Sequence, residues 1–245
     1  MPARQVTIAE MLKPAGYRTA CFGKWHLGLA PEMSPIAQGF DEFLGHKEGC
    51  IDNYWHFYHW HGPNRHDLWR NDEQTYEFEG QFFPDLVVRE AQRFITDNKD
   101  RPFFLYLPFN MPHYPEQAPR RHRDLYPDMP MPRKSYAAFV STLDEKIGQV
   151  VAKIDEFDLH EDTIIIFLTV RCKTVAPDLR VRRARVHGVE TSDSEVRRYG
   201  TCAFEGFCTG LLGVGRVSLL ANAACGERCG WAPDRQPFGV GELGR

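Results

Sequence analysis

Apolar residues recur every three or four positions in two long stretches of the chain. The first stretch, "PDLVVREAQRFITDN", covers residues 84–98, and the second covers residues 136–157. This spacing places the apolar side chains on one face of a helix, so both stretches are predicted to form amphipathic helices. A short helix is also predicted near the start of the chain, where Thr7 and Glu10 have the spacing of a capping box.

Three further apolar runs are short and have no polar face. They cover residues 17–22, 101–109 and 163–169. Such runs are typical of strands that are buried on both faces, as in a parallel sheet. Residues 23–83 have no sustained period and are predicted to form binding loops. The alternation of helices and strands predicts an α/β fold, in which ligands bind beyond the carboxyl ends of the strands.

Polar residues directly follow the first two predicted strands. "GKWHLG" contributes Lys24 and His26, and "NMPHYP" contributes Asn110 and His113. Because residues i and i+2 of an extended segment point to the same side, Lys24 and His26 are predicted to face one pocket, with Trp25 packed on the opposite wall. A lysine charge and histidine donors suit an anionic group such as sulfate, phosphate or carboxylate.

Each of these residues alone also has a plainer explanation. Taken alone, Lys24 is better explained as a surface charge and His26 as a structural histidine. The hypothesis of a binding site depends on the two polar strand ends together. The five histidines between His46 and His66 suggest a metal site, but they lack the spacing of known metal motifs. An aromatic loop at the rim of a pocket is the better interpretation. The candidates are therefore Lys24, His26 and His113 for catalysis, and Trp25, His46 and Asn110 for substrate binding.

Composition and charge exclude some classes of protein. The 245 residues are 42% hydrophobic, which is typical of a folded globular protein. A net charge of -3 gives no support for a nucleic-acid partner. No apolar run approaches the ~20 residues that span a bilayer, and the first residues contain no apolar region typical of a secretory leader.

The composition changes near Thr169. Seven of the eight lysines lie before this point, whereas five of the seven cysteines and 11 of the 20 glycines follow it. Residues 1–169 are therefore expected to form the folded domain. Residues 170–245 are expected to be an unrelated tail, either disordered or translated out of frame.

Four segments resemble one known family, in the order that the family has them. "TIAEMLKPAGYRTACFGKWHLG" resembles the second signature of the type I sulfatases, which are formylglycine-dependent sulfuric ester hydrolases. "GFDEFLGHKEG", "RPFFLYLPFNMPHYP" and residues 135–169 resemble the segments that follow it in enzymes like arylsulfatase A and N-acetylgalactosamine-6-sulfatase. The resemblance identifies residues 1–169 as a partial sulfatase domain. It implies an alkaline-phosphatase-like fold, a mainly parallel sheet flanked by helices.

The resemblance also implies roles for three residues. Lys24 and His26 correspond by position to the lysine and histidine that contact the sulfate group, and His113 to the histidine near the leaving group. The implied ligand is a sulfate ester of an aryl compound or a sugar, as a small molecule or a glycan. Members of the family are usually periplasmic, secreted or lysosomal.

Two parts of the family's chemistry are not found in the sequence. None of the seven cysteines stands in the C/S-x-P/A-x-R motif that matures to the formylglycine nucleophile. The family's calcium ion is held by two aspartates, expected before Met1, and by an Asp-Asn pair expected after Thr169. At the second place the chain reads Val170-Arg171-Cys172-Lys173. Formylglycine and calcium are therefore implied cofactors for which no residues are identified.

Three interpretations of function remain open. The chain is a sulfatase by ancestry whose catalysis is impaired, or a non-catalytic module that binds sulfated or other anionic carbohydrate. The module would use Lys24, His26, His113 and the aromatic loop of residues 46–69. The third interpretation is a product that does not fold stably, because loss of the first strand leaves a sheet edge unpaired. Turnover and calcium dependence distinguish the first two.

Overall fold

A computed structural model describes residues 5–60 and 62–169 and, for the backbone alone, residues 216–222. Its helices are α1 (Ile8–Leu12), α2 (Phe83–Asn98), α3 (Arg120–Arg123) and α4 (Arg133–Glu156). Its strands are β1 (Arg18–Lys24), β2 (Glu42–His46), β3 (Phe57–Tyr58), β4 (Arg65–His66), β5 (Trp69–Arg70), β6 (Glu73–Gln74), β7 (Phe103–Phe109), β8 (Thr163–Thr169) and β9 (Arg216–Asn222).

Seven of these strands form one twisted sheet in the order β6-β5-β2-β1-β7-β9-β8. The five strands from β2 to β8 in that order are parallel, and β5 and β6 are antiparallel additions at one edge. β3 and β4 pair separately as a small hairpin. The predicted α/β class, with a mainly parallel sheet flanked by helices, is confirmed.

Most of the predicted elements form where the hydrophobic pattern places them. The helix start at Thr7 is a complete capping box, because the Thr7 hydroxyl accepts from the Glu10 backbone N–H at 3.1 Å and Glu10 Oε2 accepts from the Thr7 N–H at 2.7 Å. The two long amphipathic helices correspond to α2 and α4, and the three apolar runs correspond to β1, β7 and β8.

The prediction that residues 23–83 form only loops is wrong for β2. This strand pairs in parallel with β1 from Ala20 opposite Glu42 to Lys24 opposite His46. It is only five residues long and contains a charged residue and a glycine, so it shows neither an apolar run nor alternation. Gly45 is required there, because a Cβ at that position would lie 1.8 Å from the Gly23 carbonyl oxygen. Close approach of two backbones explains the strand better than side-chain patterning does.

The sheet is covered on both faces. On one face α2 and α4 pack against the strands, and Phe94 contacts Phe22 and Phe103 edge to face at centroid distances of 6.0 and 5.8 Å. On the other face α1 and the loop before β2 bury a smaller cluster around Phe40 and Phe104. Burial on both faces explains why β7 is almost continuously apolar and why the central residues of β1, Ala20 to Phe22, are apolar.

Strand β9 comes from the compositionally different part of the chain and lies between β7 and β8. It pairs in parallel with both neighbours over seven residues, with Ser218 opposite Leu105 and Ile165. β9 therefore joins β8 to the rest of the sheet. The predicted tail, residues 170–245, otherwise lies outside the described residues. Among the described helices none has the length and apolar character to cross a bilayer.

Candidate anion-binding site

The carboxyl ends of β1, β2 and β7 meet at one edge of the sheet. β1 ends at Lys24 and β2 ends at His46, and their Cα atoms are direct partners. The Trp25 backbone N–H donates to the His46 carbonyl oxygen at 2.8 Å and extends this pairing by one bond. β7 ends at Phe109, and Asn110 follows it. The predicted convergence of the polar strand ends is therefore present.

Lys24 is almost completely buried, with 3% of its surface exposed. Its charge lowers the pKa values of both His46 and His113, so its ammonium group lies within electrostatic reach of both rings. A buried charge acts through a medium of low dielectric constant, so its field on nearby groups is stronger than in water. Lys24 is thus a fixed positive centre at this edge of the sheet.

His26 reaches the same region by a different route from the one predicted. Its φ angle is 50°, which is left-handed, so the alternation of an extended segment does not apply to it. Its ring lies beside Gly49, where an added Cβ would be 3.2 Å from His26 Nε2. The His26 charge also lowers the pKa values of His46 and His113. The left-handed bend at His26 therefore keeps its exposed ring near Lys24 and His113.

His46 is fully buried, and its ring is held in one tautomer. Its Nδ1–H donates to the Glu48 carbonyl oxygen at 2.9 Å, because a carbonyl can only accept. Its Nε2 has no hydrogen-bond partner among the described residues. Burial, followed by the charge of Lys24, holds its pKa well below the ordinary value. His46 is therefore neutral near pH 7 and offers a lone pair on Nε2.

His113 is only partly buried, and its ring can change its charge. Its Nδ1–H donates to the Tyr114 carbonyl oxygen at 2.6 Å, so Nε2 is an acceptor in the neutral ring and a donor in the protonated ring. Burial first, and then the charges of Lys24 and His26, lower its pKa below the ordinary value. A bound anion would oppose the two charge effects and favour protonation.

Asn110 and Trp25 use their side chains within the protein. Asn110 Nδ2 donates to Asn53 Oδ1 at 2.8 Å, and its own Oδ1 has no partner in the described part of the chain. Trp25 Nε1 donates to the Met33 carbonyl oxygen at 2.8 Å, and its ring packs edge to face on Phe40. Trp25 therefore lies in the wall on the other side of β1, as the strand alternation predicts.

Asn53 is a further residue of the site, and no sequence pattern points to it. Its side-chain amide donates to the Pro115 carbonyl oxygen at 3.2 Å, its N–H donates to Gln117 Oε1 at 2.7 Å, and its carbonyl accepts from the Phe83 N–H at 2.7 Å. With the bond from Asn110, these contacts fix the loop that carries His113. Its partners lie up to 64 residues away in sequence, so no local pattern reports them.

The remaining described histidines of the aromatic loop form packed contacts. His56 and His66 have ring centroids 6.1 Å apart, and His66 stacks on Tyr76 at 4.2 Å. Their Nε2–H groups donate to the carbonyl oxygens of Gln81 and Thr75. Within residues 5–60 and 62–169 no group of three or more His, Cys, Asp or Glu side chains is arranged to hold a metal ion.

The described residues do not fit the calcium and formylglycine that sulfatases use. Calcium takes oxygen ligands, whereas Lys24, His26 and His113 bring positive or neutral nitrogen groups to the strand ends. The described cysteines are Cys21 and Cys50, and both are buried. Burial raises the pKa of the Cys21 thiol well above its ordinary value, which disfavours a reactive thiolate. The described residues can thus supply cationic groups to an anion, but they do not include a set of oxygen ligands for calcium or a reactive thiol.

Comparison with known proteins identifies the family. The Sulfatase family model matches residues 1–169, so the chain belongs to the sulfatase family. Mouse arylsulfatase J is 32% identical over 173 residues, a match that covers 68% of this chain and 29% of that protein. Human arylsulfatase A is 30% identical over 189 residues, covering 68% of this chain and 35% of that protein.

Solved structures agree with this assignment. The crystal structure of Ps i-CgsB is 29% identical, has a TM-score of 0.60, and is matched over 66% of this chain and 39% of its own length. The putative sulfatase yidJ from Bacteroides fragilis shares the fold, with a TM-score of 0.55 at 19% identity. The chain spans about a third of the length of the two arylsulfatases above. The alkaline-phosphatase-like architecture implied by the sequence resemblance is confirmed.

Proposed function

We propose that the site at the carboxyl ends of β1, β2 and β7 binds the sulfate group of a sulfate ester. The single observation that carries this proposal is the pairing of Lys24 with His46 at the ends of β1 and β2, with His26 beside Gly49 and His113 after β7. Burial first, and then the charges of Lys24 and His26, lower the pKa values of both His46 and His113. Cations that are held close together and partly desolvated disfavour one another. An anion placed among them removes that penalty and gains charge-assisted hydrogen bonds.

The roles of the three residues differ in this proposal. Lys24 supplies an ammonium group from the end of β1, and His26 supplies a donor from the exposed side. His113 takes up a proton when the anion binds, after which its Nε2 donates to an ester oxygen. This last role supports His113 as the group nearest the leaving group, because a protonated ring can stabilise charge that develops there.

The substrate class follows from the family and from the relatives. The ligand is an aryl or sugar sulfate ester, as the names of the related arylsulfatases and of the related N-acetylgalactosamine-6-sulfatase suggest. A second crystal structure of Ps i-CgsB, which is 28% identical in sequence to this chain, was solved in complex with k-i-k-neocarrahexaose. This favours an oligosaccharide that carries sulfate over a small aryl ester. The alternative function is binding of such a carbohydrate without any hydrolysis.

We further propose that the 245-residue chain turns over poorly. Hydrolysis of a sulfate ester needs a nucleophile at sulfur, but both described cysteines are buried, and burial raises the pKa of the Cys21 thiol well above its ordinary value. Groups that bind without reacting leave a residual rate many orders of magnitude below that of an intact site. Sulfatase ancestry and weak catalysis are compatible, because binding and chemistry use different residues.

Hydrolysis of a chromogenic aryl sulfate tests this proposal. The purified chain is assayed with and without calcium, beside Lys24→Met, which removes the charge and keeps the length of the side chain. No hydrolysis above the Lys24→Met background is expected. Calcium-dependent hydrolysis that Lys24→Met abolishes would refute the impairment and would assign the nucleophile and metal ligands to residues outside the described ranges.

A further inference from the structure

Two exposed aromatic rings lie beside His113 and come from different loops. Trp60 follows β3 and is 45% exposed, and Tyr114 follows β7 and is 50% exposed. Their ring centroids are 6.1 Å apart at an interplanar angle of 71°. The Trp60 and His113 centroids are 6.5 Å apart. Single exposed aromatic residues are common, but two in contact beside a cationic site indicate a binding surface.

The polar atom next to these rings points to a ligand with hydroxyl groups. The ring of His59 contacts Tyr114 at a centroid distance of 5.6 Å. Its Nδ1–H donates to the Phe57 carbonyl oxygen at 3.3 Å, so Nε2 is an acceptor in the neutral ring. This buried Nε2 has no partner among the described residues. A buried acceptor without a donor is costly, and a ligand hydroxyl would satisfy it.

We propose that Trp60, Tyr114 and His59 form a subsite for a sugar ring that carries the sulfate bound at Lys24 and His113. The C–H face of the sugar packs on the aromatic rings, and one of its hydroxyl groups donates to His59 Nε2. An aryl ester has the apolar face but not the hydroxyl group. The subsite therefore favours sugar sulfates over aryl sulfates. This inference rests on the proposed sulfate-binding function and names its substrate class.

The contact between Tyr114 and the site makes the subsite continuous with the anion. Tyr114 follows His113 directly, and its carbonyl oxygen fixes the His113 ring while its own ring meets Trp60 and His59. A sulfate ester whose sulfate group binds at His113 Nε2 would therefore place its sugar beside the aromatic rings. Truncation of Trp60 removes stacking area without touching Lys24 or the Tyr114 carbonyl.

Binding calorimetry with three probes tests this proposal on the full chain. The probes are inorganic sulfate, a sulfated galacto-oligosaccharide and its desulfated counterpart. Trp60→Ala is expected to lower the affinity for the sulfated oligosaccharide roughly tenfold and to leave the affinity for inorganic sulfate unchanged. Trp55→Ala is the matched control, because Trp55 is similarly exposed at 54%. Its backbone N–H, which donates to Asp52 Oδ1, remains in the alanine variant.

The outcomes separate the subsite from the anion site. The proposal of a sugar subsite is wrong if Trp60→Ala leaves the affinity for the sulfated oligosaccharide unchanged. It is also wrong if the variant lowers the affinity for inorganic sulfate by the same factor. If neither sulfated probe binds the wild-type chain, both proposals fail. If the oligosaccharide binds in a Trp60-dependent way and inorganic sulfate does not bind, the subsite stands and the sulfate site fails. With phenyl sulfate as a fourth probe, His59→Phe, which removes the acceptor, is expected to lower the preference of the chain for the sulfated oligosaccharide over phenyl sulfate.

Discussion

Lys24 and His46 are the last residues of two adjacent parallel strands, and their Cα atoms are partners in the pairing. The position of the buried lysine charge relative to the buried imidazole is therefore set by the register of β1 and β2. A shift of one residue would turn either side chain to the other face of the sheet. Features that fix this register are thus features of the site.

Gly45→Ala is expected to disturb this register. A Cβ at Gly45 would lie 1.8 Å from the Gly23 carbonyl oxygen, so the strands must separate. We expect a loss of more than about 2 kcal/mol in the free energy of unfolding, as in overpacked cores. The control is Gly148→Ala on α4, where an added Cβ meets nothing within 4 Å. That helical replacement is expected to stabilise by up to about 1 kcal/mol. Urea denaturation measures both, and equal effects would contradict the account.

Removal of the Lys24 charge is expected to raise the pKa of His113. Burial is the main cause of the lowered pKa, and the Lys24 charge is the larger of the two positive-charge effects, so Lys24→Met should move the pKa toward its ordinary value. Lys47→Met is the matched control, since this buried lysine sits over the Trp69 ring at 3.9 Å and faces Asp72. Histidine titration by NMR measures the change. A His113 pKa that is the same in wild type and Lys24→Met would show that the two groups are not coupled.

His56 is expected to make the fold sensitive to acid. Burial lowers the pKa of His56 from 6.5 to about 4, so the unfolded chain binds a proton at a higher pH than the folded chain does. Stability is therefore complete above the unfolded pKa and falls as the pH drops from 6.5 toward 4, by at most about 2 to 3 kcal/mol. His56→Asn tolerates the positive φ of 59° and should flatten this dependence. Unfolding of the wild type and of His56→Asn is measured between those pH values. Equal losses of stability in the two proteins would show that His56 is not the source of the acid sensitivity.

Strand β9 is expected to be required for stability. Ser218 lies between Leu105 and Ile165 in the middle of the sheet, where a proline removes a ladder hydrogen bond. Ser218→Pro should lower stability by about 3 kcal/mol or more, which corresponds to roughly 6 to 12 °C in the unfolding midpoint. Ser218→Thr, a good strand former, is the control. Identical midpoints for the proline and threonine variants would place residue 218 outside the sheet.

The sequence predicts the framework of this fold better than the details of its site. Strands β1, β7 and β8 and helices α2 and α4 are visible because each buries a continuous apolar run or stripe. β2 is not visible, because its place depends on the close approach of Gly45 to Gly23 rather than on apolar side chains. The proximity of His46 to Lys24 follows from that strand and could not be argued without it.

Two other features of the site depend on contacts between distant parts of the chain. The left-handed backbone at His26 is not announced by the residue itself, because histidine adopts this conformation more often than most residues but still in only a small minority of cases. The bonds from Asn53 to the loop carrying His113 join residues far apart in sequence. The polar residues at the strand ends can therefore be predicted from the sequence, whereas the contacts that position them can be seen only in the structure.

Calorimetric binding of phenyl sulfate is the sharpest test of the sulfate site at the ends of β1, β2 and β7. The wild-type chain is titrated at about pH 5 and about pH 7.5, beside Lys24→Met and Lys47→Met. Because the anion favours the protonated form of His113, tighter binding is predicted at the lower pH. Lys24→Met is predicted to weaken binding at least tenfold, and Lys47→Met to bind as the wild type does. Wild-type affinity in Lys24→Met, or affinity that is independent of pH, would contradict the assignment of these strand ends as a sulfate site.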